Sequence, residues 1–391
     1  MSCENCVVST EEGWQIQEWR SLPLEKQKEW NIAMQNRSVA LQYPFWECLE
    51  KGQLNDFRYQ YLCLEHPQRQ IKILAVVYQI TTDIAIFAPR RLHQVLLAVR
   101  RFWPGFLQWR MLECGTPIAL TSPPWQLQPE EEGQKALSVL LRSIAQIARR
   151  DRHLLIILRD FEPNAISWRD TLQAQGYHWI PSLPNTWLTI RWNTPEDYLQ
   201  SMRSYYRSKL QKYLKRNRAA GVQHRLERNF AGMAEDLCRQ WMQVHENAKE
   251  YQREILTPDF YRALAERPEV DAQVLLFYRQ DRWVGHALLL RDGDDLRWLY
   301  MGREESVNDG LYLYIAYTVI ETAILQQAKR LEMGLTTYAI KQDLGADLVP
   351  VFMALRARWG WMNPFVGLGY RLLNDIPQLH QRKVFKQDGA E

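Results

Sequence analysis

The sequence predicts an α/β protein with α+β-type mixed sheets, arranged as two units that meet near Trp192. Three observations carry that expectation. A chain of 391 residues with 46% hydrophobic composition exceeds what one core usually holds, so it should divide into about two domains, residues 1–191 and 192–391. β-rich runs alternate with helical patterns through both halves. At the boundary a helix start is written into the chain: Thr194 suits the N-cap, Pro195 the first helical position, and Glu196 and Asp197 the first turn.

The elements follow in order. "IKILAVVYQITTDIAIFA" reads as two strands broken at Thr81–Asp83, "RLHQVLLAVRRFW" as a helix and "QWRMLECG" as a strand. "PEEEGQKALSVLLRSIAQIARRD" is a long helix with acidic residues in its first turn and Arg149 and Arg150 in its last, the order a helix dipole favours. "HLLIILRDF" is a buried parallel strand, followed by a helix that Gly176 closes. From Thr194 a single helix is expected to run to Gly221. Past it come a strand "VQHRLE", two helices within "MAEDLCRQWMQVHENAKE" and "PDFYRALAE", and a meander "AQVLLFYR", "WVGHALLLR", "LRWLYMG" with turns at Gln280–Arg282 and Asp292–Asp295. A helix "LYLYIAYTVIETAILQQAK" and a strand "RLEMGL" complete the second half.

Charge is local. The 49 basic and 45 acidic residues leave a net +4, unlike a dedicated nucleic-acid binder, so no DNA partner is expected. Yet Arg203–Arg225 carries nine Lys, Arg or His residues and no carboxylate. A solvated basic face is the bland account of such a run, and an anion-binding face the functional one. Cys3 and Cys6 form a lone Cys-x-x-Cys without the second ligand pair that a zinc site requires, so no metal is expected. The N-terminus lacks a signal-peptide pattern and no apolar run is long enough for a transmembrane segment, so a cytoplasmic location is expected.

The order strand, two helices, three antiparallel strands, helix, strand is the core of the Gcn5-related N-acetyltransferase (GNAT) fold. "TPEDYLQSMRSYYRSKLQKYLKRNRAAG" resembles the segment that opens the second half of FemAB-like acyltransferases. "NDGLYLYIAYTVIETAI" with "MGLTTYAIKQDLGA" resembles the later helix and Tyr-x-x-Lys segment of their bacterial relatives. The resemblance is best over Trp192–Arg358. It implies two tandem GNAT-like domains, the first degenerate, with the acceptor along the cleft between them and the basic helix beside that cleft.

It also implies a site. The loop before the last long helix would point N–H groups at a donor's pyrophosphate, through Asn308, Gly310, Leu311 and Tyr312, although Glu304 and Glu305 replace the usual spaced glycines. Acyl transfer to an amine needs a base, oxyanion donors and an acid for the leaving group. Tyr338 is the candidate acid, Lys341 the cation that neutralises developing charge, and Glu304 the base, with Glu321 as a lesser candidate. Arg203, Arg207 and Lys212 are candidate anion contacts, and His245 and Glu246 candidate acceptor contacts. Trp359 and Trp361 are candidates for a wall around a lipid or acyl chain, or plain packing.

The expected function is N-acyl transfer from acyl-CoA or acetyl-CoA to a small-molecule amine. The alternatives are aminoacyl transfer from tRNA to a cell-wall or lipid precursor, as in the Fem ligases, and a catalytically silent binding module. The tRNA reading is lowered by the lack of room for the helical hairpin those ligases often insert.

Overall fold

The computed structural model describes residues 6–11, 13–35, 37–68, 70–83, 98–103, 105–118, 120–128, 133–247, 253–305, 309–373 and 381–386. Five strands, β1 Cys6–Glu11, β2 Trp14–Trp19, β3 Arg58–His66, β4 Ile71–Asp83 and β5 Gln108–Cys114, build an antiparallel run that encloses helices α1 Leu24–Ala33 and α2 Tyr43–Gly52 in sequence. Strand β6 Trp125–Gln128 pairs with β4, helix α3 spans Gly133–Arg150, and β7 Leu155–Phe161 adds parallel to β5. Helix α4 Arg169–Ala174 ends before Gly176, whose φ of 82° is the left-handed turn expected there. Strand β8 His178–Pro181 completes the run, and β9 Asn185–Thr189 departs from this sheet.

The second half opens with α5 Pro195–Ser201, capped reciprocally by Thr194 and Asp197, and α6 Ser204–Ala219. The single helix expected here is two. Met202 takes an extended conformation, buries its side chain and bridges Phe385, and the Arg203 N–H donates to Val384 O. A tertiary strand contact therefore breaks a pattern that is helical by propensity. Next come β10 Val222–Glu227, α7 Ala234–Asn247, α8 Pro258–Ala265, the meander β11 Ala272–Arg279, β12 Arg282–Asp292 and β13 Asp295–Arg303, and α9 Leu311–Leu325. Strand β14 Arg330–Glu332, α10 Tyr338–Asp343, β15 Asp347–Val349, β16 Phe352–Ala357 and α11 Asn363–Leu373 follow.

Two mixed sheets result, nine-stranded in the order β1-β2-β3-β4-β5-β7-β16-β8 with β6 on β4, and seven-stranded in the order β10-β11-β12-β13-β14-β9-β15. Each takes a strand from across residue 192, since β9 joins the second sheet and β16 the first. The expected break at Thr81–Asp83 is instead the paired end of β4, opposite Gln108–Arg110. The second run after it, most of the helix expected over 91–103, the acidic turn at 130–132 and Cys3 lie outside the described residues.

The meander strands alternate between two cores. Val274, Leu276, Leu288, Leu290 and Tyr300 face α7, α8, α1 and α2, in a cluster shared by both halves. Leu275, Phe277, Ala287, Leu289 and Trp298 face α6 and α9 on the other side. The basic helix α6 is therefore not beside the cleft between halves; it buries Leu210 and Leu214 against the outer core with α9.

Candidate functional site

The parallel pairing of β13 with β14 stops at Arg297 opposite Glu332. Between Leu288 and Leu289 the β12–β13 register slips, leaving Leu299 as an extra residue on β13. Such a bulge bends its strand away from a neighbour. Beyond this point lies a cavity of about 430 Å³. Its walls are Trp241, Val244 and His245 at the end of α7, Arg253 and Glu254, Trp298–Met301 and Arg303 on β13, Tyr312 on α9, Met333–Thr337, and Lys341.

Lys341 is 4% exposed, and its ammonium donates to Gly334 O at 3.0 Å and Leu335 O at 2.6 Å. Burial lowers its pKa to about 7, with the Glu332 carboxylate pulling the other way. The strained path of the chain places it there: Thr336 and Thr337 both have positive φ and turn β14 into α10.

Glu254 is buried and accepts the Tyr300 hydroxyl at 2.6 Å. His245 stacks on Trp241 with ring centroids 4.5 Å apart, and burial lowers its pKa while Glu254 and Glu246 oppose the shift. Across the cavity Tyr312 lies over Trp298 at 5.9 Å, and burial pushes its phenol above the usual range. Aromatic rings thus flank a set of titratable groups, the usual composition of a small-molecule site.

The other expected site residues are placed as follows. The Tyr338 hydroxyl donates to Pro184 O at 2.9 Å and is not part of the cavity wall. Glu304 also lies off the wall, accepting Arg239 at 2.8 Å and Gln240 at 3.3 Å; the Arg239 bond chiefly holds its carboxyl below the usual range, which makes it a poor base. Glu321 lies on α9 with its pKa raised by burial, away from the cavity lining. Glu246 is exposed. Arg203 donates to Phe385 O, Arg207 to the carbonyls of Met202 and Gln200 that end α5, and Lys212 is exposed, so none of the three reaches the cavity. Trp359 and Trp361 stack on each other at the surface and line no part of it.

The donor loop differs most from expectation. Asn308 lies outside the described residues. Asp309 accepts the Leu311 N–H at 3.0 Å and pairs with Arg279 at 2.9 Å and Arg303 at 2.8 Å. A carboxylate of the chain itself thus occupies the end of α9 where a phosphate would bind. Gly310 has a φ of 80°, and a Cβ there would meet the Tyr213 ring at 2.3 Å. Gly310 and Leu311 are therefore not an open anion nest, because Asp309 and Tyr213 already fill it.

Glu254, Trp241, Trp298 and Tyr300 carry no motif that would single them out in the sequence. They converge only because a bulge parts two strands and because the chain returns from α7 beneath them.

Two mixed sheets flanked by helices, with a cavity where β13 parts from β14, fit the tandem GNAT fold. The model of the FemAB-like family, described as peptidoglycan biosynthesis/recognition, matches residues 116–338, and the chain belongs to that family. It is 26% identical over 325 residues to the putative 8-amino-7-oxononanoate synthase 2 of Mycobacterium tuberculosis, covering 81% of this chain and 42% of that protein. The chain thus spans about two fifths of the length of the curated relatives it matches. Among solved structures, FemX aligns with a TM-score of 0.52 at 13% identity, over 83% of this chain and 95% of its own. The C-terminal domain of a putative lysylphosphatidylglycerol synthetase from Agrobacterium fabrum gives 0.51 at 10% identity, over 89% and 94%. A tandem GNAT protein from the clavulanic acid biosynthesis pathway gives 0.51 at 10% identity, over 88% and 99%. These three likenesses establish the fold.

Proposed function

We propose that the cavity transfers an acyl group from a carrier-linked donor to the amine of a cell-wall or lipid precursor. The observation that carries this reading is Lys341. Two of its three ammonium hydrogens are committed to Gly334 O and Leu335 O, and the third is left for a ligand in the cavity. In the reaction the amine nitrogen attacks the acyl carbon and a C–N bond forms. The proton of the resulting ammonium passes to Glu254, and the oxyanion accepts the remaining Lys341 N–H. The bond from the acyl carbon to the carrier oxygen or sulfur then breaks, and the departing atom takes a proton from solvent. Tyr338 acts through position, tying α10 to Pro184 so that Lys341 stays in place.

Membership of a peptidoglycan biosynthesis/recognition family supports the acceptor class. For the donor, Asp309 at the start of α9 and Tyr213 over Gly310 favour one that is not gripped there by a pyrophosphate, an aminoacyl ester of tRNA before an acyl-CoA. The test is turnover by the purified protein with aminoacyl-tRNAs and with acyl-CoAs, offered soluble and lipid-linked peptidoglycan precursors. Turnover with either donor that Lys341→Met and Glu254→Gln both suppress supports the site. Turnover untouched by both substitutions removes it, and binding of precursors without turnover establishes the silent module.

A further inference from the structure

We propose that one end of the nine-stranded sheet, together with α11, is a docking surface for an anionic lipid bilayer. Three strands bring it together. The Leu154 N–H donates to Arg110 O at 2.8 Å and the Arg358 N–H to Leu154 O at 2.9 Å, so the starts of β5 and β7 and the end of β16 lie side by side. The buried His153 beside them has its pKa lowered by burial, with Arg110, Arg150 and Arg358 each adding to the shift and Asp151 opposing it. Those guanidinium groups therefore share one end of the sheet.

Basic charge there is in excess. Arg101, Arg110, Arg149, Arg152 and Arg358 form no ion pair among the described residues. Of the nearby carboxylates, Asp83 is taken by Arg100, Glu18 and Asp151 by Arg150, and Asp56 accepts the Thr81 N–H opposite Arg110, so the arginines outnumber the carboxylates left to them.

Among these arginines stand large apolar side chains that the protein leaves in water. Phe102 and Trp103 on the segment before β5 are 90% and 64% exposed. Trp359 lies under the Arg358 guanidinium at 4.9 Å and stacks on Trp361. Trp361 on the 3-10 turn Gly360–Met362, and Phe365 and Leu368 on α11 directly after it, spaced at four and three residues, are 70%, 69% and 58% exposed. The opposite side of the helix is anchored, with Met362 and Val366 against the shared core and Gly367 against the His178 ring. An anchored helix that turns Trp, Phe and Leu outward amid unpaired arginines matches the two components of a membrane interface, an apolar boundary layer and anionic headgroups. Aromatic rings among arginines also stack on single-stranded bases, but the stripe continues into Leu368, which offers no ring to a base and suits an acyl boundary layer, and a second copy of the chain would bring like charge against like.

None of these residues lines the cavity, so this surface stands or falls independently of the acyl-transfer reading. The experiment is cosedimentation of the full chain with phosphatidylcholine vesicles, with and without phosphatidylglycerol. Trp361→Ser/Phe365→Ser removes the stripe and Arg110→Glu/Arg152→Glu reverses the charge, all four positions being exposed. Binding is expected only to the anionic vesicles, reduced by salt, and about tenfold weaker in either double variant. Failure to bind anionic vesicles, or binding by both variants as tight as that of the parent protein, overturns the proposal. So does tRNA retention lost with the arginines but not with the stripe, or a dimer that Trp361→Ser/Phe365→Ser dissolves in the absence of vesicle binding.

Discussion

Arg297 on β13 and Glu332 on β14 form the last rung of the parallel ladder, their side chains 2.5 Å apart and almost wholly buried, and the cavity begins where that rung ends. Arg297 also pairs with Asp292 at 2.7 Å and donates to Thr121 O at 2.9 Å, while Asp292 accepts the Val39 N–H at 2.8 Å. One guanidinium thus ties the second sheet to two segments of the first half. The Glu332 carboxylate in turn raises the pKa of Lys341 against the pull of burial.

Removing one partner of such a group strands the other without solvent. Glu332→Gln is expected to cost about 3–5 kcal/mol in urea unfolding, and Arg297→Met/Glu332→Gln less than the sum of the two single changes. Glu332→Gln should also lower the pKa of Lys341 further, since Glu332 raises it. Additive losses in the double variant would show that the two residues act separately.

Lys341 gives a pH signature with a definite sign. Its pKa is about 7 in the fold against an ordinary 10.5, so the unfolded chain binds more protons between those values and stability rises with pH across that window. The cost of burying the amine is complete below pH ~7 and gone by about 10.5. Lys341→Met should therefore gain most over the parent protein near pH 6 and least near pH 10, read by thermal unfolding, while losing turnover. A gain that does not change with pH would place the lysine's pKa outside this window.

Glu254 and Glu304 separate a cavity carboxylate from an ion-paired one. Glu254→Gln is expected to lower kcat/KM by about a hundredfold, the usual scale of a lost general base, and Glu304→Gln by no more than a few-fold. The reverse ranking would return the base to the loop that the sequence pointed to.

Asp309 should report on the start of α9. Burial alone would raise its pKa, but Arg279, the Leu311 N–H and Arg303 outweigh it and hold the carboxyl below the usual range. Its stabilising contribution is thus present at neutral pH and lost as the pH falls through the lowered value. Asp309→Asn is expected to cost about 1–2 kcal/mol at pH 7 and progressively less in acid, measured by urea midpoints.

At the join between halves, a Cβ on Gly52 of α2 would come within 2.9 Å of the Phe260 Cβ and 3.1 Å of its Cα on α8. Neither atom can rotate away. Gly52→Ala should lower stability by about 1–3 kcal/mol and broaden the thermal transition as the two halves lose their common core.

What the sequence determined by itself was whatever depends on local pattern. The meander and its turns, α7 to α9, the Thr194–Asp197 cap and the Gly176 and Gly221 terminations follow from periodicity, capping chemistry and positive φ, all carried by residues a few positions apart. The Tyr-x-x-Lys setting also pointed to Lys341, which the fold places in the cavity wall. The break at Met202 was not, because a strand contact from Phe385, far along the chain, overrides helical propensity there. Nor was the placement of α6, whose charge suggested a cleft that its two buried leucines turn away from. Which carboxylate meets the cavity was decided only by the tertiary structure: the sequence pointed to Glu304 after the last meander strand, but pairing with Arg239 holds that residue off the cavity, and Glu254, which no motif marks, is buried in its wall beside the bulged strand.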